Sequence, residues 1–375
     1  MRRVKEIRIL AVLAAAAALA AGCGSSSSSS SSATASNASA SKSGGSTKGL
    51  IVAFTYANSQ SYWSGWDKEL TSFGPQIGFT VKDIQNPFNQ PDEDSEVQAQ
   101  LATGQKPLAY IYIPDDAKTG LTSLVRLADT GVPVFIANQY VTGAWEKYWV
   151  AYAGTLDVPR AMGVAKGLVS ALPSIRKAHP AIGNNVIVVT GPPGNSSSIN
   201  EDAGFVDGLK GSGLKVIANV NSTGFEPSDT YATMQQLITK YRSTGINIVF
   251  SLNSDMAHGV VEALQQAGYK PGKNVLVVDG SCTNQFSDFR SGLIWGTAFQ
   301  APSIEAQTTL LVIKQYFGSG KKVLPGTTYL PSGSSFPSLS GAIHKVNVMP
   351  APFVEGADID SASLWGVPFT TGCAA

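Results

Sequence analysis

Beyond residue 49 the chain alternates between short apolar runs and helix-like stretches, and this alternation most constrains its fold. The apolar runs include LIVAFTY, LAYIYI, VPVFIAN, NVIVVTG, INIVFSL and NVLVVDG. Between them the apolar period is that of a helix: in SDMAHGVVEALQQAG, Met256, Val260, Val261 and Leu264 share one face, and Gly268 ends the helix. Near-continuous apolar strands that alternate with helices predict an α/β fold with parallel sheets covered by helices on both faces.

The number of these units predicts two sheets rather than one. The segment from Lys48 to Ala375 is longer than one core usually serves, so two Rossmann-like lobes fit it better. The alternative is an eight-stranded α/β barrel, which would end after eight units. The long, non-alternating tail Gly326–Ala375 argues against the barrel.

The N-terminal segment resembles an export signal followed by a tether. Basic residues precede an apolar run that is too short to span a bilayer, and small residues follow it, so residues 1–22 are predicted to be a signal peptide. The letters LAAGC resemble a bacterial lipobox, which predicts a lipid on Cys23. Residues 23–47 are almost wholly small and polar and predict a disordered tether. An ordinary signal peptide cut nearby is the alternative.

Composition excludes several classes of function. The formal net charge is +1 and no basic run follows the signal peptide, so no nucleic-acid partner is expected. His179, His258 and His344 have no metal-ligand spacing, and GPPGNSSS lacks the pattern of a phosphate-binding loop, so neither a metal nor a cofactor is expected. Apart from Cys23, the cysteines are Cys282 and Cys373, an even number that predicts a disulfide in an exported protein.

The residues that follow the apolar runs are the candidates for a ligand site, because ligands of doubly wound sheets bind beyond the carboxyl ends of the strands. These segments read ANSQSYW, PDDA, NQY, GPPGNSSSIN, NSD and DGSC. They offer amides, hydroxyls, aromatic rings and a few carboxylates. Such groups suit a neutral polyol, whose hydroxyls pair with polar side chains and whose C–H faces stack on aromatic rings.

Four segments, in order, resemble the type I periplasmic sugar-binding proteins that serve ABC importers. They are NSDMAHGVVEALQQAG, NVLVVDG, GTAFQAPSIEAQ and DIDSASLWG. The resemblance implies a monosaccharide bound between two lobes, an ABC permease as partner, a monomer, and a location outside the cytoplasmic membrane. Crossings near Ala153, Ala301 and Leu330 would divide the lobes into 48–153 plus 301–330 and 154–300 plus 331–375.

The resemblance also carries site residues over by position. The implied ligand contacts are Tyr62, Trp63, Asp115, Asp116, Asn138, Gln139, Asn200, Asn253, Asp279 and Gln300. Asp279 is expected to be the most costly to remove, although it could instead cap a helix, as could one of the pair Asp115 and Asp116. Trp66 is expected in the core. The ribose binder has an arginine in the segment that reads NSSSINEDAGF here, so ribose is not the expected ligand.

Two other function classes remain open from the sequence. A sensor-type lipoprotein would use the same fold to present a furanosyl signal or a nucleoside to a receptor. A glycoside-active enzyme would need a carboxylate pair, which could be assembled from Asp116 and Asp279. No G-x-S-x-G motif occurs, and the chain is not expected to be an enzyme.

Overall fold

The structure is a computed structural model that describes residues 49–57 and 61–375. The predicted signal peptide (1–22), the lipid attachment at Cys23 and the tether (23–47) lie outside them. Within the described ranges, no helix is both long enough and apolar enough to cross a bilayer.

The described residues form a first sheet of seven strands, all parallel. The strands are β1 (Leu50–Tyr56), β2 (Thr80–Asn86), β3 (Ala109–Tyr112), β4 (Val134–Ala137), β5 (Ala151–Gly154), β11 (Val323–Tyr329) and β12 (Ile343–Val348). In space their order is β11–β12–β5–β4–β3–β1–β2. Each neighbouring pair is parallel, from β1 beside β2 and β3 to β12 between β5 and β11.

A second sheet of six strands follows the same plan in the described part of the chain. Its strands are β6 (Asn185–Thr190), β7 (Lys215–Asn221), β8 (Ile248–Ser251), β9 (Leu276–Asp279), β10 (Gly296–Ala298) and β13 (Phe353–Glu355). Their spatial order is β13–β10–β9–β8–β6–β7, and only β13 runs antiparallel to its neighbour. A short hairpin of β14 (Ser363–Leu364) and β15 (Val367–Pro368) lies near the end of the chain.

Helices connect the strands and cover the sheets. They are α1 (Ser61–Gln76), α2 (Gln90–Ala102), α3 (Leu121–Asp129), α4 (Asp157–Ala178), α5 (Ser196–Gly208), α6 (Pro227–Tyr241), α7 (Ser254–Gln266), α8 (Phe286–Arg290), α9 (Pro302–Gly318) and α10 (Phe369–Gly372). Two 3₁₀ turns span Gly143–Tyr148 and Gly356–Asp358. The α/β fold class predicted from the sequence is therefore confirmed, with two open sheets rather than a closed barrel.

Successive side chains of a strand point to opposite faces of its sheet, and helices cover both faces of each sheet. Along β1, Ile51 and Ala53 pack in the cluster that includes α1 and α9, whereas Val52 and Phe54 pack in the cluster that includes α2 and α3. The second sheet repeats this arrangement, with α6 and α7 on one face and α4 and α5 on the other. This double burial explains why the central strands of both sheets read as continuous apolar runs, whereas β2, β7 and β11 are more exposed and more polar.

The chain passes between the two sheets after β5, after β10 and after β12. The first two passages follow Gly154 and Ala298, and the expected crossings near Ala153 and Ala301 stay predictions. The third does not lie near Leu330, because β12 pairs with β5 through Val346 and Tyr152 and so belongs to the first sheet. Residues 331–375 were expected to accompany the second sheet as a whole, and β12 departs from that expectation. The lobe boundaries otherwise stay a prediction.

Candidate ligand-binding site

A polar cavity lies where the carboxyl ends of the two sheets face each other. From the first sheet it is lined by residues that follow β1, β2 and β4: Tyr62, Trp63, Phe88, Asn138 and Gln139. From the second sheet and the crossings it is lined by Arg160, Ser197, Glu201, Phe225, Leu252, Asn253, Ser281 and Gln300. Among the described residues, this cavity brings together six of the ten predicted contacts: Tyr62, Trp63, Asn138, Gln139, Asn253 and Gln300.

Aromatic rings form one wall of the cavity. Trp63 is 4% exposed and meets Tyr56 and Tyr62 edge to face, with ring centroids 4.6 and 5.3 Å away. Trp66, three residues further along α1, has no exposed surface and belongs to the core, as expected from the sequence. An indole held rigidly in this way offers a flat apolar face to a ligand at little cost in conformational entropy.

Arg160 and Glu201 place opposite charges at the cavity. Arg160 lies in the first turn of α4 and donates to Thr155 Oγ1 at 2.9 Å, to Asp157 Oδ1 at 2.8 Å and to Glu201 Oε1. Burial opposes the charge on Arg160, but Glu201 and Asp157 raise its pKa above the ordinary value. Burial raises the pKa of Glu201 to about 8, against the opposing effect of Arg160. The guanidinium is thus fixed in place by buried partners.

Two buried polar atoms of this pair make no hydrogen bond within the described part of the chain. They are Nε of Arg160, a donor, and Oε2 of Glu201, an acceptor. An unsatisfied buried polar atom costs about 1–3 kcal/mol. A ligand hydroxyl can accept from one atom and donate to the other, because a hydroxyl carries both functions.

Glu305 organises the opposite side of the cavity. Its carboxylate accepts from the Tyr62 hydroxyl at 2.7 Å, from Asn138 Nδ2 at 2.9 Å and from Gln300 Nε2 at 3.3 Å. Glu305 is fully buried in the first turn of α9, where negative charge suits the helix dipole. Burial raises its pKa, whereas the hydrogen bonds from Asn138 and Tyr62 lower it. This residue positions three of the predicted contacts, and the sequence reasoning missed it.

Gln139 links the two sheets across the cavity. Its side-chain oxygen accepts from the Ser196 hydroxyl and from the backbone N–H of Ser197 at 3.2 Å, both at the start of α5. Asn138 beside it has a positive φ of 54°, a backbone conformation that asparagine tolerates better than most residues. On the second sheet, Asn253 caps α7 by accepting from the Met256 N–H at 2.8 Å and also lines the cavity.

Four predicted contacts lie elsewhere in this conformation. Asp115 and Asp116 line a second pocket, and Asn200 lines a third. Asp279 lines none of these three pockets. It is fully buried at the end of β9 and accepts from the Thr297 hydroxyl on β10. Burial raises its pKa well above the ordinary value. A catalytic carboxylate pair would have to face one common pocket. Asp116 lines the second pocket, whereas Asp279 is buried against Thr297, so the two carboxyl groups do not meet that requirement.

The cavity supplies an arginine and an acid that the sequence reasoning did not assign. The arginine comes from α4 rather than from NSSSINEDAGF, the segment where the ribose binder has one. That segment contributes Ser197 and Glu201, which are four residues apart and share one face of α5, whereas Asn200 turns away from the cavity. The spacing of Ser197 and Glu201 on a helix was the available signal.

The cavity has a volume of about 40 Å³ in this conformation. A cavity that holds benzene measures about 150 Å³, and a hexose is larger than benzene. Binding of a sugar therefore requires the strand ends of the two sheets to move apart or their side chains to shift. Within the described residues, no cluster of His, Cys, Asp and Glu has the arrangement of a metal site.

A disulfide joins Cys282 to Cys373, with Cα atoms 5.6 Å apart, and this is the pairing predicted from the sequence. Cys282 follows Ser281, which lines the cavity, and its sulfur lies 3.2 Å from the carbonyl oxygen of Gln300. Both cysteines are fully buried. The end of the chain is thereby attached to the loop that carries part of the cavity wall.

The chain is similar in sequence to known binding proteins. The family model for the periplasmic binding protein domain matches residues 51–322. The galactofuranose-binding protein YtfQ of Escherichia coli is 26% identical over 62% of this chain and 71% of its own. The fructose import binding protein FruE of Bifidobacterium longum is 25% identical over 56% of this chain and 66% of its own.

Among solved structures, the myo-inositol binding protein of Caulobacter has the same fold, with a TM-score of 0.68 and 23% sequence identity over 85% of this chain and 97% of the other. These relatives are binding proteins rather than enzymes, in agreement with the prediction that this chain is not an enzyme. The chain belongs to the periplasmic binding protein family, of the type I kind that its sequence resembles.

Proposed function

We propose that this protein captures a neutral monosaccharide outside the cytoplasmic membrane and delivers it to an ABC-type permease. The sugar binds between the two sheets and stabilises a closed arrangement of two lobes, whose joint surface the permease recognises. The protein is held at the outer face of the membrane by a lipid on Cys23 and acts as a monomer. No cofactor forms part of this proposal.

The observation that carries this proposal is the unsatisfied donor and acceptor pair in the cavity. Nε of Arg160 and Oε2 of Glu201 are buried and without a hydrogen bond among the described residues, and both side chains line the cavity. Sugar hydroxyls can accept from Nε and donate to Oε2, because a hydroxyl carries both functions. Trp63 supplies an aromatic face for the C–H side of the ring, and the amides of Asn138 and Gln300 complete a polar lining.

The relatives support the same chemistry for the ligand. Galactofuranose, fructose and myo-inositol, the ligands that the names of these proteins give, are small, uncharged and rich in hydroxyl groups. These three ligands share one property, that each is a neutral polyol of about one ring, and we extend only this property to the ligand of this chain. A uronic acid would instead bring a negative charge into a buried site whose guanidinium is already paired with Asp157 and Glu201.

Calorimetric titration tests this function with D-fructose, D-galactose, L-arabinose, D-ribose, myo-inositol and methyl β-D-galactofuranoside. At least one of them is expected to bind. Glu201→Gln keeps the shape of the side chain but puts an NH2 group in place of one carboxyl oxygen, so either the bond to Arg160 or the free Oε2 is lost, and affinity for that ligand is expected to fall about 10- to 100-fold. Asp202→Asn is the matched control. Asp202 is the next residue of α5, its Oδ1 accepts from Asn219 Nδ2 at 2.6 Å, and it does not line the cavity. Equal affinities of the two variants would contradict the proposal.

Cys23→Ser tests the lipid anchor, which lies outside the described residues. In a bacterial host the unchanged chain is expected in the membrane fraction and labelled by a radioactive fatty acid. The variant is expected to lose the label and to appear in the soluble fraction, because no thiol remains to carry the lipid. Ser25→Ala, two residues away, should behave as the unchanged chain does. A Cys23→Ser protein that keeps both label and membrane association would refute the anchor.

A further inference from the structure

An outer pocket adjoins the cavity and differs from it in size. Its volume is about 310 Å³, within the range of pockets that hold small ligands. Polar side chains that can pair with hydroxyls line it, among them Asn89, Asp115, Thr119 and Asn195. The pocket therefore has both the room and the chemistry for a hydroxylated group.

Phe88 and Phe225 separate the outer pocket from the cavity and line both. Phe88 follows β2 of the first sheet, Phe225 follows β7 of the second, and their ring centroids are 4.7 Å apart. Any ligand that occupies both spaces must lie against this aromatic pair. The rings of Phe88 and Phe225 can stack on the apolar face of one sugar unit in the cavity and of another in the outer pocket.

The backbone at Phe88 supports a role in holding a ligand. Its φ is +55°, in the left-handed region that a bulky residue rarely adopts. The side chain of Asn86 holds this turn by accepting from the Phe88 N–H at 2.9 Å. Such conformations cost energy and concentrate at active sites and ligand clamps.

Asp115 is the second, independent sign of a ligand in the outer pocket. It is 8% exposed, and neither of its carboxylate oxygens makes a hydrogen bond of good geometry to a described residue. The nearby hydroxyl of Tyr56 donates instead to the carbonyl of Pro114 at 2.9 Å. Asp116 differs, because its Oδ1 accepts from the backbone N–H groups of Lys118 and Thr119 and so serves the local turn. Burial raises the pKa of Asp115 to about 8, although the nearby Tyr56 hydroxyl and Asn89 backbone N–H lower it. Both carboxyl oxygens therefore lie buried beside the pocket without a well-placed partner.

We infer that the ligand has a second hydroxylated unit, joined by a glycosidic bond to the ring in the cavity, and that this unit binds in the outer pocket beside Asp115. The inference rests on the proposed function and extends its ligand from a single sugar ring to a disaccharide or a related glycoside. Hydroxyls of the second unit donate to the Asp115 carboxylate. The aromatic pair shifts to admit the glycosidic link and then stacks on both units.

The test compares each free sugar that binds with its methyl glycoside and with disaccharides that contain it. For fructose the disaccharide is sucrose, for arabinose it is arabinobiose, and for galactose it is galactobiose. A disaccharide is expected to bind at least about tenfold more tightly than the free sugar and the methyl glycoside. Asp115→Asn is expected to remove this advantage while changing the affinity for the free sugar less than about twofold.

Asp92→Asn is the matched control, because Asp92 lies exposed in the first turn of α2 and outside the outer pocket. It makes the same Asp-to-Asn change at the surface and is expected to leave every affinity unchanged. An Asp115→Asn protein that loses free sugar and disaccharide equally would place Asp115 in the monosaccharide site and overturn the inference. Disaccharides that bind no more tightly than free sugars would also overturn it. Absence of binding by every sugar would refute the proposed function and this inference together.

Discussion

Replacing Arg160 with leucine is expected to lower the free energy of unfolding by about 3–5 kcal/mol and to abolish measurable sugar binding. The guanidinium is buried between Asp157 and Glu201, and its removal leaves two carboxylates without their cation. Buried carboxylates that lose a partner must either bind protons or remain charged at high cost. Loss of binding follows because the variant has no donor at that position in the cavity.

Urea denaturation and calorimetry measure the two effects separately. Arg126→Leu is the control for stability, because Arg126 is exposed in the last turn of α3. Its effect is expected to stay within about 0.5 kcal/mol, as is usual for surface substitutions. An Arg160→Leu protein as stable as the unchanged chain would show that the buried ion pairs contribute nothing to folding.

A double substitution separates the lost attraction from the carboxylates left behind. Arg160→Leu combined with Glu201→Leu removes one of the two orphaned acids together with the cation. We expect the pair to be less destabilising than the sum of the single changes, because neighbours in one ionic network do not act additively. Additive losses would indicate that Arg160 and Glu201 act independently.

The sequence predicted the central strands because these are buried on both faces. A short apolar run such as NVIVVTG that alternates with helix-like stretches is typical of a parallel strand, and Gly268 and similar residues mark where helices end. The strand β12 was missed because IHKVNV mixes His344, Lys345 and Asn347 with apolar residues. Such a pattern is read as irregular, and only pairing with β5 and β11 shows that the segment is a strand.

The candidate site was predictable where its residues directly follow strands. Asn138 and Gln139 follow β4, and Asn253 follows β8, so the rule about carboxyl ends of strands located them. Arg160 and Glu201 reach the cavity from first and second turns of helices, and that rule says nothing of helix faces. The local signal in the sequence was helical spacing: Arg160 shares a helix face with Asp157, and Glu201 shares one with Ser197.

The direction of a side chain at a strand end explains the different place of Asp279. Successive residues of a strand point to opposite faces, so a shift of one position decides between cavity and core. The carboxyl of Asp279 lies against Thr297 on the neighbouring strand, and no pattern in NVLVVDG reveals that contact. Likewise, Asp115 and Asp116 are adjacent in sequence, yet only the latter serves the local turn.

Removing the disulfide is expected to lower the free energy of unfolding by about 2–5 kcal/mol. Cys282 and Cys373 are 91 positions apart, so the bond closes a long loop and restricts the unfolded chain strongly. Phe369, in the turn that carries Cys373, packs on Phe299 with ring centroids 4.8 Å apart, so the bond also keeps a buried aromatic contact in register. The double variant Cys282→Ala with Cys373→Ala is therefore expected to melt several degrees below the unchanged chain.

Thermal unfolding with and without dithiothreitol supplies the matched comparison. Reductant should lower the melting temperature of the unchanged chain toward that of the double variant and leave the variant itself unaffected. Equal melting temperatures of the oxidised and reduced chain would refute the prediction. Ligand affinity is a separate readout, because Ser281 precedes Cys282 in the wall of the cavity. If the bond also fixes that wall, reduction weakens sugar binding even at temperatures where the reduced protein remains folded.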